Sequence, residues 1–379
     1  DWFVRWAEQA DKELSGPEQD VWLGRLEAEH DNLRVILQRS SRSESEGDAR
    51  LRLCGALSGF WSRRGHWSEG RTWLEAALAH GPRVPTNAWA KALYSAGLLA
   101  YHQGDFERAK ALLEEGASLQ QALQDKQGLS RTLQTLGNLM VTIGQYDQAT
   151  AYSEESLMLA RELSDWQLIA LAKVTLGRIA LYQGELDRAA RRFEESLAIL
   201  REHGSKHYIA GTLFNLGDVA IGQGDFERAE RHLEESSGIA RELGAKAMLA
   251  SARVQLGIIA TERGEYGRAL SLHKEGLMLF QELNSSYDMG AALYAMACTL
   301  AVQGDAERAL RLAGAAAQLR ETINAKLSPL EQDSVDCHLD RARRALSSED
   351  AERAFAEGRS LTLEQAIKYA LNSPPDDTI

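Results

Sequence analysis

The sequence predicts an all-α fold, a right-handed superhelical solenoid of helix pairs with a 40-residue period and capping helices at both ends. Three observations carry this expectation. The hexapeptide GDFERA at residues 104–109 returns letter for letter at 224–229. Its relatives GQYDQA, GELDRA, GEYGRA and GDAERA complete a ladder of glycines, Gly104, Gly144, Gly184, Gly224, Gly264 and Gly304, spaced by 40 every time. Two more ladders keep the same period: Gly97, Gly137, Gly177, Gly217 and Gly257, closed by Ala297, and Ala109, Ala149, Ala189, Ala229, Ala269 and Ala309. Finally, none of the six prolines lies between residues 86 and 328, in a stretch rich in Ala, Leu, Glu, Arg and Gln. A proline inside a helix costs about 3 kcal/mol, so its absence over such a length points to helix throughout. One helix pair cannot bury its own apolar face, and stacked neighbours do so for one another.

The elements follow in order. Residues 1–48 form an N-terminal helical segment, in which 19–39 (QDVWLGRLEAEHDNLRVILQR) reads as one amphipathic helix and the polar run at 40–48 as a loop. Residues 49–86 hold a degenerate first unit and a linker. Gly65-His66-Trp67 lies 39 residues before Gly104-Asp105-Phe106, Gly70 replaces the alanine, and GPRVPTN carries two prolines. Six regular units occupy 87–322. In the second of them Leu129, Leu133, Leu136, Leu139 and Met140 recur at helical spacing over about 128–142. Gly144 closes that helix, because glycine takes the left-handed conformation without strain. In sister units the next residue is Asp, which can cap the following helix. That helix spans roughly 146–163, and Ser164-Asp165 make the turn to the next unit.

The ladders have mechanical readings. Gly137 and Ala149 are small where the two helices cross. The residue two after each turn glycine (Phe106, Tyr146, Leu186, Phe226, Tyr266) wedges into the neighbouring unit. Ala306 lacks that wedge, so the sixth unit is expected to pack more loosely. Residues 323–373 are expected to form C-terminal capping helices, and 374–379 a polar tail.

The Leu-Gly, aromatic and Ala pattern (Leu136-Gly137, Tyr146, Ala149) resembles the tetratricopeptide repeat. The usual period of that repeat is about 34 residues, so each unit here carries about six more. The flanks are similar to something narrower. WLGRLEAEHDNLRVIL (22–37) resembles the first helix of the helical arm in bacterial STAND-class regulators, ATPases related to LuxR-type, AfsR-like and MalT-like transcription factors. Gly314-Ala315-Ala316, Leu319-Arg320-Glu321, Pro329, Glu357-Gly358-Arg359 and Leu361-Thr362-Leu363-Glu364 resemble their closing segment. The resemblance implies a parent with an ATPase module before Asp1 and a DNA-binding module at one end, often a LuxR-type helix-turn-helix after the tail. Residues 1–379 would then be its sensor and autoinhibition arm, and an inducer or partner protein in the groove would release the ATPase for assembly on promoters. A chain starting at Asp1 agrees with a fragment of such a parent.

Composition narrows the function classes. The 43 Lys and Arg against 55 Asp and Glu give a net charge of −12, which suits no phosphate backbone, so direct DNA contact by this segment is not expected. No apolar run reaches the roughly 18–20 residues of a membrane helix. Cys54, Cys298 and Cys337 fit no metal or redox spacing, and a reduced, cytoplasmic setting is expected. No phosphate-binding loop, GxSxG elbow or HExxH occurs, so neither a cofactor nor catalysis is expected. His203 and His207 straddle a turn and lack a third ligand, and the other histidines read as isolated. The acidic pairs Glu114-Glu115, Glu154-Glu155, Glu194-Glu195 and Glu234-Glu235 return in every unit and read as a solvated face.

What remains is the concave groove lined by the first helices. Counted from Gly137, the positions three before, one after and five after should face it, with six before at the rim. Across units this register, with Tyr101 and Ile221 one position short of it, gives Tyr94, Tyr101, Arg131, Gln134, Asn138, Arg178, Tyr182, Phe214 and Asp218 as ligand-binding candidates, beside Leu98, His102, Thr142, Val174 and Ile221. The expected occupant is a small-molecule or peptide inducer, or a partner protein. A peptide-pheromone receptor and a plain assembly scaffold are the alternatives.

Overall fold

The structure, a computed structural model, describes residues 2–14, 16, 18–38, 44–81 and 84–372, with the side chains of residues 44–46 and 330 excepted. The expected tail at 374–379 and residues 40–43 of the expected loop lie outside the described residues. Among those described there are twenty helices and no strand. Among the described residues no helix is long and apolar enough to cross a membrane.

Five helices precede the regular array: α1 (Trp2–Glu13), α2 (Gln19–Ala28), α3 (His30–Gln38), α4 (Glu44–Arg64) and α5 (Trp67–His80). Two expectations fail here. The helix expected over 19–39 is broken at Glu29, whose N–H still bonds back to Arg25 and Glu27. Residues 44–48 are helical rather than loop, because α4 starts at Glu44. The break at Glu29 turns His30 inward onto α5, where its Nε2 lies 3.1 Å from Glu69 Oε1. Arg34 then grips Glu69 with two hydrogen bonds, Nε to Oε1 at 2.9 Å and Nη2 to Oε2 at 2.6 Å. Partial burial of Glu69 works against its charge, but the Arg34 bond and the His30 and Arg34 charges prevail and hold its carboxyl below the usual range.

This lock ties the N-terminal segment to the degenerate unit, and it is testable. Glu69→Ala leaves His30 and Arg34 without their acceptor and is expected to cost on the order of 2 kcal/mol at pH 7. A carboxyl with a depressed folded pKa stabilises above its unfolded pKa, near about 4.3, and loses that contribution as pH falls through the folded value. Urea melts should therefore show a gap between wild type and Glu69→Ala at pH 7 that narrows in acid. An equal midpoint at pH 7 would remove the lock from the account.

The array itself is six helix hairpins: α6 (Asn87–Gln103) with α7 (Phe106–Ala122), α8 (Lys126–Thr142) with α9 (Tyr146–Glu162), α10 (Trp166–Tyr182) with α11 (Leu186–Glu202), α12 (Lys206–Gly222) with α13 (Phe226–Leu243), α14 (Lys246–Glu262) with α15 (Tyr266–Leu283), and α16 (Ser286–Gln303) with α17 (Ala306–Thr322). All six turn glycines are left-handed, with φ from 73° at Gly224 to 105° at Gly304. Asp105 and Asp225 cap the next helix through Arg108 N and Arg228 N, whereas Asp305 instead pairs with Arg308. The glycine ladder makes room for one side chain of the second helix. A Cβ on Gly97, Gly137, Gly177, Gly217 or Gly257 would meet Leu113, Ser153, Phe193, Leu233 or His273 at 2.4–2.8 Å. The alanine ladder is fully buried.

Of the wedge residues only Phe106 is buried, against Tyr101 and Tyr287; Tyr146, Leu186, Phe226 and Tyr266 are half-buried. The sixth unit is not loose. Ala306, Ala309, Leu310, Leu312, Ala313 and Ala316 are all buried, because α18 (Pro329–Ala345), α19 (Ser348–Ser360) and α20 (Leu363–Leu371) cover α17 and its neighbours.

The array curls until its ends meet. Arg64 Nη1 donates to Leu243 O at 3.0 Å, Ser285 Oγ lies 3.2 Å from His102 O, and Tyr182 Oη is 3.3 Å from Tyr287 Oη. After α17 the chain crosses back, and Lys326 N donates to Thr142 O at 3.3 Å. The concave face is thereby partly closed over.

Candidate functional site: a cavity inside the closed turn

The first helices of the units face one another across this turn and border a half-open cavity of about 570 Å³. Pockets for small ligands are typically about 300–1,000 Å³. All nine candidates from the groove register line it: Tyr94, Tyr101, Arg131, Gln134, Asn138, Arg178, Tyr182, Phe214 and Asp218. Leu98, His102 and Val174 line it as well. Thr142 and Ile221 are not among its lining residues; Thr142 is buried behind the wall, its hydroxyl bonded to Asn138 O at 3.1 Å and 3.2 Å from Tyr101 Oη.

The repeat puts Leu98, Asn138, Arg178 and Asp218 at one position of successive units, so a single rung reads apolar, amide, cation and acid. Arg178 Nη1 donates to Asn138 Oδ1 at 2.7 Å, and its guanidinium lies 5.9 Å from the Tyr182 ring centroid. Burial pushes the Asp218 carboxyl well above the usual range, and the neighbouring Glu331 charge adds to the rise. Burial likewise lifts Asp288 to about 6, against the pull of Ser285 Oγ, 2.6 Å away. Burial lowers His102 to about 4; its ring stacks on Trp67 at 4.9 Å and meets Ser62 Oγ at 3.1 Å. His207 is held well below its ordinary value by burial and the Arg63 charge.

Three polar atoms of lining residues are buried without a hydrogen-bond partner: Arg63 Nε, His207 Nδ1 and Asp218 Oδ1. Such atoms are rare in folded proteins and call for an explanation where they gather. The cavity brings guanidiniums, phenols, amides and carboxyls together, a set suited to holding and orienting a polar ligand.

The groove register missed Arg63, His207, Tyr208, Tyr287, Asp288 and Glu331. Tyr208 and Asp288 stand nine residues before Gly217 and Ala297, one turn beyond the rim position, so extending the stripe by a turn reaches them. Arg63 belongs to the degenerate unit and Glu331 to α18, where the period gives no guide. His207 faces the cavity while His203 stacks on Trp166 at 4.0 Å, so the two do not act together.

A second cluster corrects the reading of isolated histidines. Glu27, His30 and His66 place potential ligand atoms within 4.8 Å of one another. Two of the three are already engaged: His30 meets Glu69, and Arg64 Nε lies 3.5 Å from Glu27. Two guanidiniums, Arg64 and Arg34, border the cluster and oppose a cation, so it belongs to the lock described above.

Comparison with known proteins agrees with this architecture. The family described as the MalT-like TPR region matches residues 135–353, and the tetratricopeptide repeat family matches residues 90–115. No curated protein matches the sequence. Among solved structures, a Rap protein complexed with competence and sporulation factor is 12% identical, with 94% of this chain and 98% of that one covered at a TM-score of 0.58. The Rap conjugation gene regulator of plasmid pLS20, in complex with the Phr* peptide, is 16% identical, with 86% and 80% covered at 0.55. Aspartyl phosphate phosphatase F from Bacillus subtilis is 12% identical, with 95% and 93% covered at 0.53. At these identities the likeness is one of fold.

Proposed function

The chain belongs to the MalT-like TPR region family, and from that premise we propose that it is the non-catalytic sensor and autoinhibition arm of a multidomain bacterial transcriptional regulator. Its inducer sits in the central cavity, and its other partner is the ATPase module of the parent chain, in the cytoplasm. The observation that carries this reading is the half-open central cavity, walled by varied residues on a framework of repeated ones, with unpartnered polar atoms of Arg63, His207 and Asp218. The resemblance of 22–37 and 311–371 to the opening and closing segments of STAND-class regulators supports the rest. A ligand that spans the turn gains contacts only when units from both ends are in place, so its binding energy is available to shift the curl of the array. The acidic charge supports an arm that leaves DNA contact to another module.

A peptide is the second reading, supported by the Rap structures solved with competence and sporulation factor and with the Phr* peptide, whose folds run over most of this chain. Thermal-shift screening of residues 1–379 against sugars, peptides and metabolites separates the readings from a ligand-free scaffold. A true inducer is expected to raise the melting temperature, and Arg178→Leu or Tyr182→Ala is expected to weaken it at least about tenfold, the loss of one charged hydrogen bond or one aromatic wall. A hit indifferent to both substitutions would move the site elsewhere.

A further inference from the structure

The balance of charge differs between the two ends of the cavity. At one end Arg63 of α4 and Arg131 of α8 both act on the Tyr94 hydroxyl, and the Arg63 guanidinium lies 5.8 Å from the Tyr208 ring centroid. Among the described residues neither guanidinium has a carboxylate within ion-pair distance. Arg63 reaches only Gly59 O at 3.2 Å and Tyr208 Oη at 3.5 Å, and its Nε has no partner. Lys91, which also faces this region, is already paired with Asp11 at 2.6 Å.

At the other end stand three carboxyl groups, Asp218, Asp288 and Glu331, against two guanidiniums, Arg178 and Arg320. Both guanidiniums are engaged, Arg178 by Asn138 and Arg320 by Lys326 O at 2.6 Å. Asp218 Oδ1 is left buried and unpartnered. Arg131 and Asn138 are seven residues apart on one face of α8, which is about 10 Å of helix rise. Asn138 holds Arg178, the neighbour of Asp218, so a similar span separates the cationic end from the acidic one. On the rung between them Val174 and Phe214 offer apolar wall.

We infer that the cavity takes a zwitterionic peptide of about three residues, its carboxylate between Arg63 and Arg131 and its ammonium against Asp218 and Asp288. Three extended residues span about 10 Å, the distance between the two ends. A carboxylate gives the half-buried Arg63 and Arg131 guanidiniums the bidentate partner they lack, and an ammonium supplies donors to the unpartnered Asp218 oxygen. This inference rests on the sensor reading and deepens it by fixing the ligand's charges and direction.

The test is retention on residues 1–379 through gel filtration, read by mass spectrometry. The probes are one mixed tripeptide pool in free, N-acetylated, C-amidated and doubly blocked form, and a second pool of neutral saccharides and nucleosides. Free peptides should be retained, and either block should lower retention at least about tenfold. Arg131→Leu should abolish the penalty of amidation alone, and Asp218→Asn that of acetylation alone, with circular dichroism confirming the fold. The wild-type comparison of free and blocked forms stands even if a variant fails to fold. Equal retention of free and blocked peptides overturns the inference. Retention of the neutral pool alone overturns it while leaving the sensor reading intact. Retention of nothing from either pool overturns both.

Discussion

Gly358→Ala should detach the C-terminal cap and destabilise the protein by at least about 3 kcal/mol. A Cβ on Gly358 would lie 1.9 Å from Arg311 O and 2.8 Å from Arg311 C. On the facing helix a Cβ on Gly314 would lie 2.1 Å from Phe355 O. These clashes are with backbone, so no rotamer change relieves them. Helix α19 must lift off α17, which breaks Arg311 Nε to Glu357 Oε2 (3.1 Å) and the pair of bonds from Arg359 to Glu321 (2.8 and 2.6 Å). It also uncovers Leu310, Ala313 and Ala354. Urea melts give the loss in stability, and limited proteolysis should show new cleavage after α18. Gly314→Ala should behave alike, and the double variant should be little worse than either single one, since both residues belong to one crossing. An unchanged urea midpoint for Gly358→Ala would show that the crossing is not so close. Because α18 leads from α17 into α19 and carries Glu331 to the cavity, the same variant should also weaken ligand binding.

That crossing shows how the sequence informs and where it stops. Gly314 and Gly358 were legible as parts of two separate family-like strings, but nothing in a string says that its glycine meets the other. The array was legible because each joint repeats: a turn glycine must be left-handed six times, so it is glycine six times. The turns between units, twenty residues out of phase, are equally regular in the backbone. Gln124, Ser164, Gly204, Gly244, Asn284 and Asn324 all have φ between 53° and 69°. Four of those six are not glycine, so the second ladder hides among residues that tolerate the conformation less well. The loosening expected at Ala306 failed for a different reason: packing from outside the period, by the C-terminal helices, supplied what the missing wedge did not. The cavity followed the same division. Side chains on the inner helices were reachable by counting, whereas Arg63 and Glu331 reach it through closure of the turn, a long-range event that no local period encodes.

The closure also sets up the second large effect: Asp288→Asn should stabilise the protein at neutral pH, by on the order of 3 kcal/mol. Burial raises the Asp288 carboxyl to about 6, and Ser285 Oγ with the Arg320 and Arg178 charges only partly offsets it. In the unfolded chain the same group titrates near about 3.9. Between these values the unfolded state releases its proton first, so stability falls as pH rises from about 4 through about 6 and the full cost persists above that. A difference of about two pH units corresponds to roughly 3 kcal/mol. Asparagine removes the charge, keeps the shape and can still accept from Ser285. The gain should therefore appear in urea melts at pH 8 and nearly vanish at pH 4. A gain of the same size at both values would assign the effect to packing rather than charge. Natural sequences carry such costs chiefly where a function uses them. If Asp288 is retained to meet a ligand's ammonium, the stabilised variant should retain free tripeptides more weakly than wild type. A variant both more stable and equally retentive would leave the carboxylate without that role.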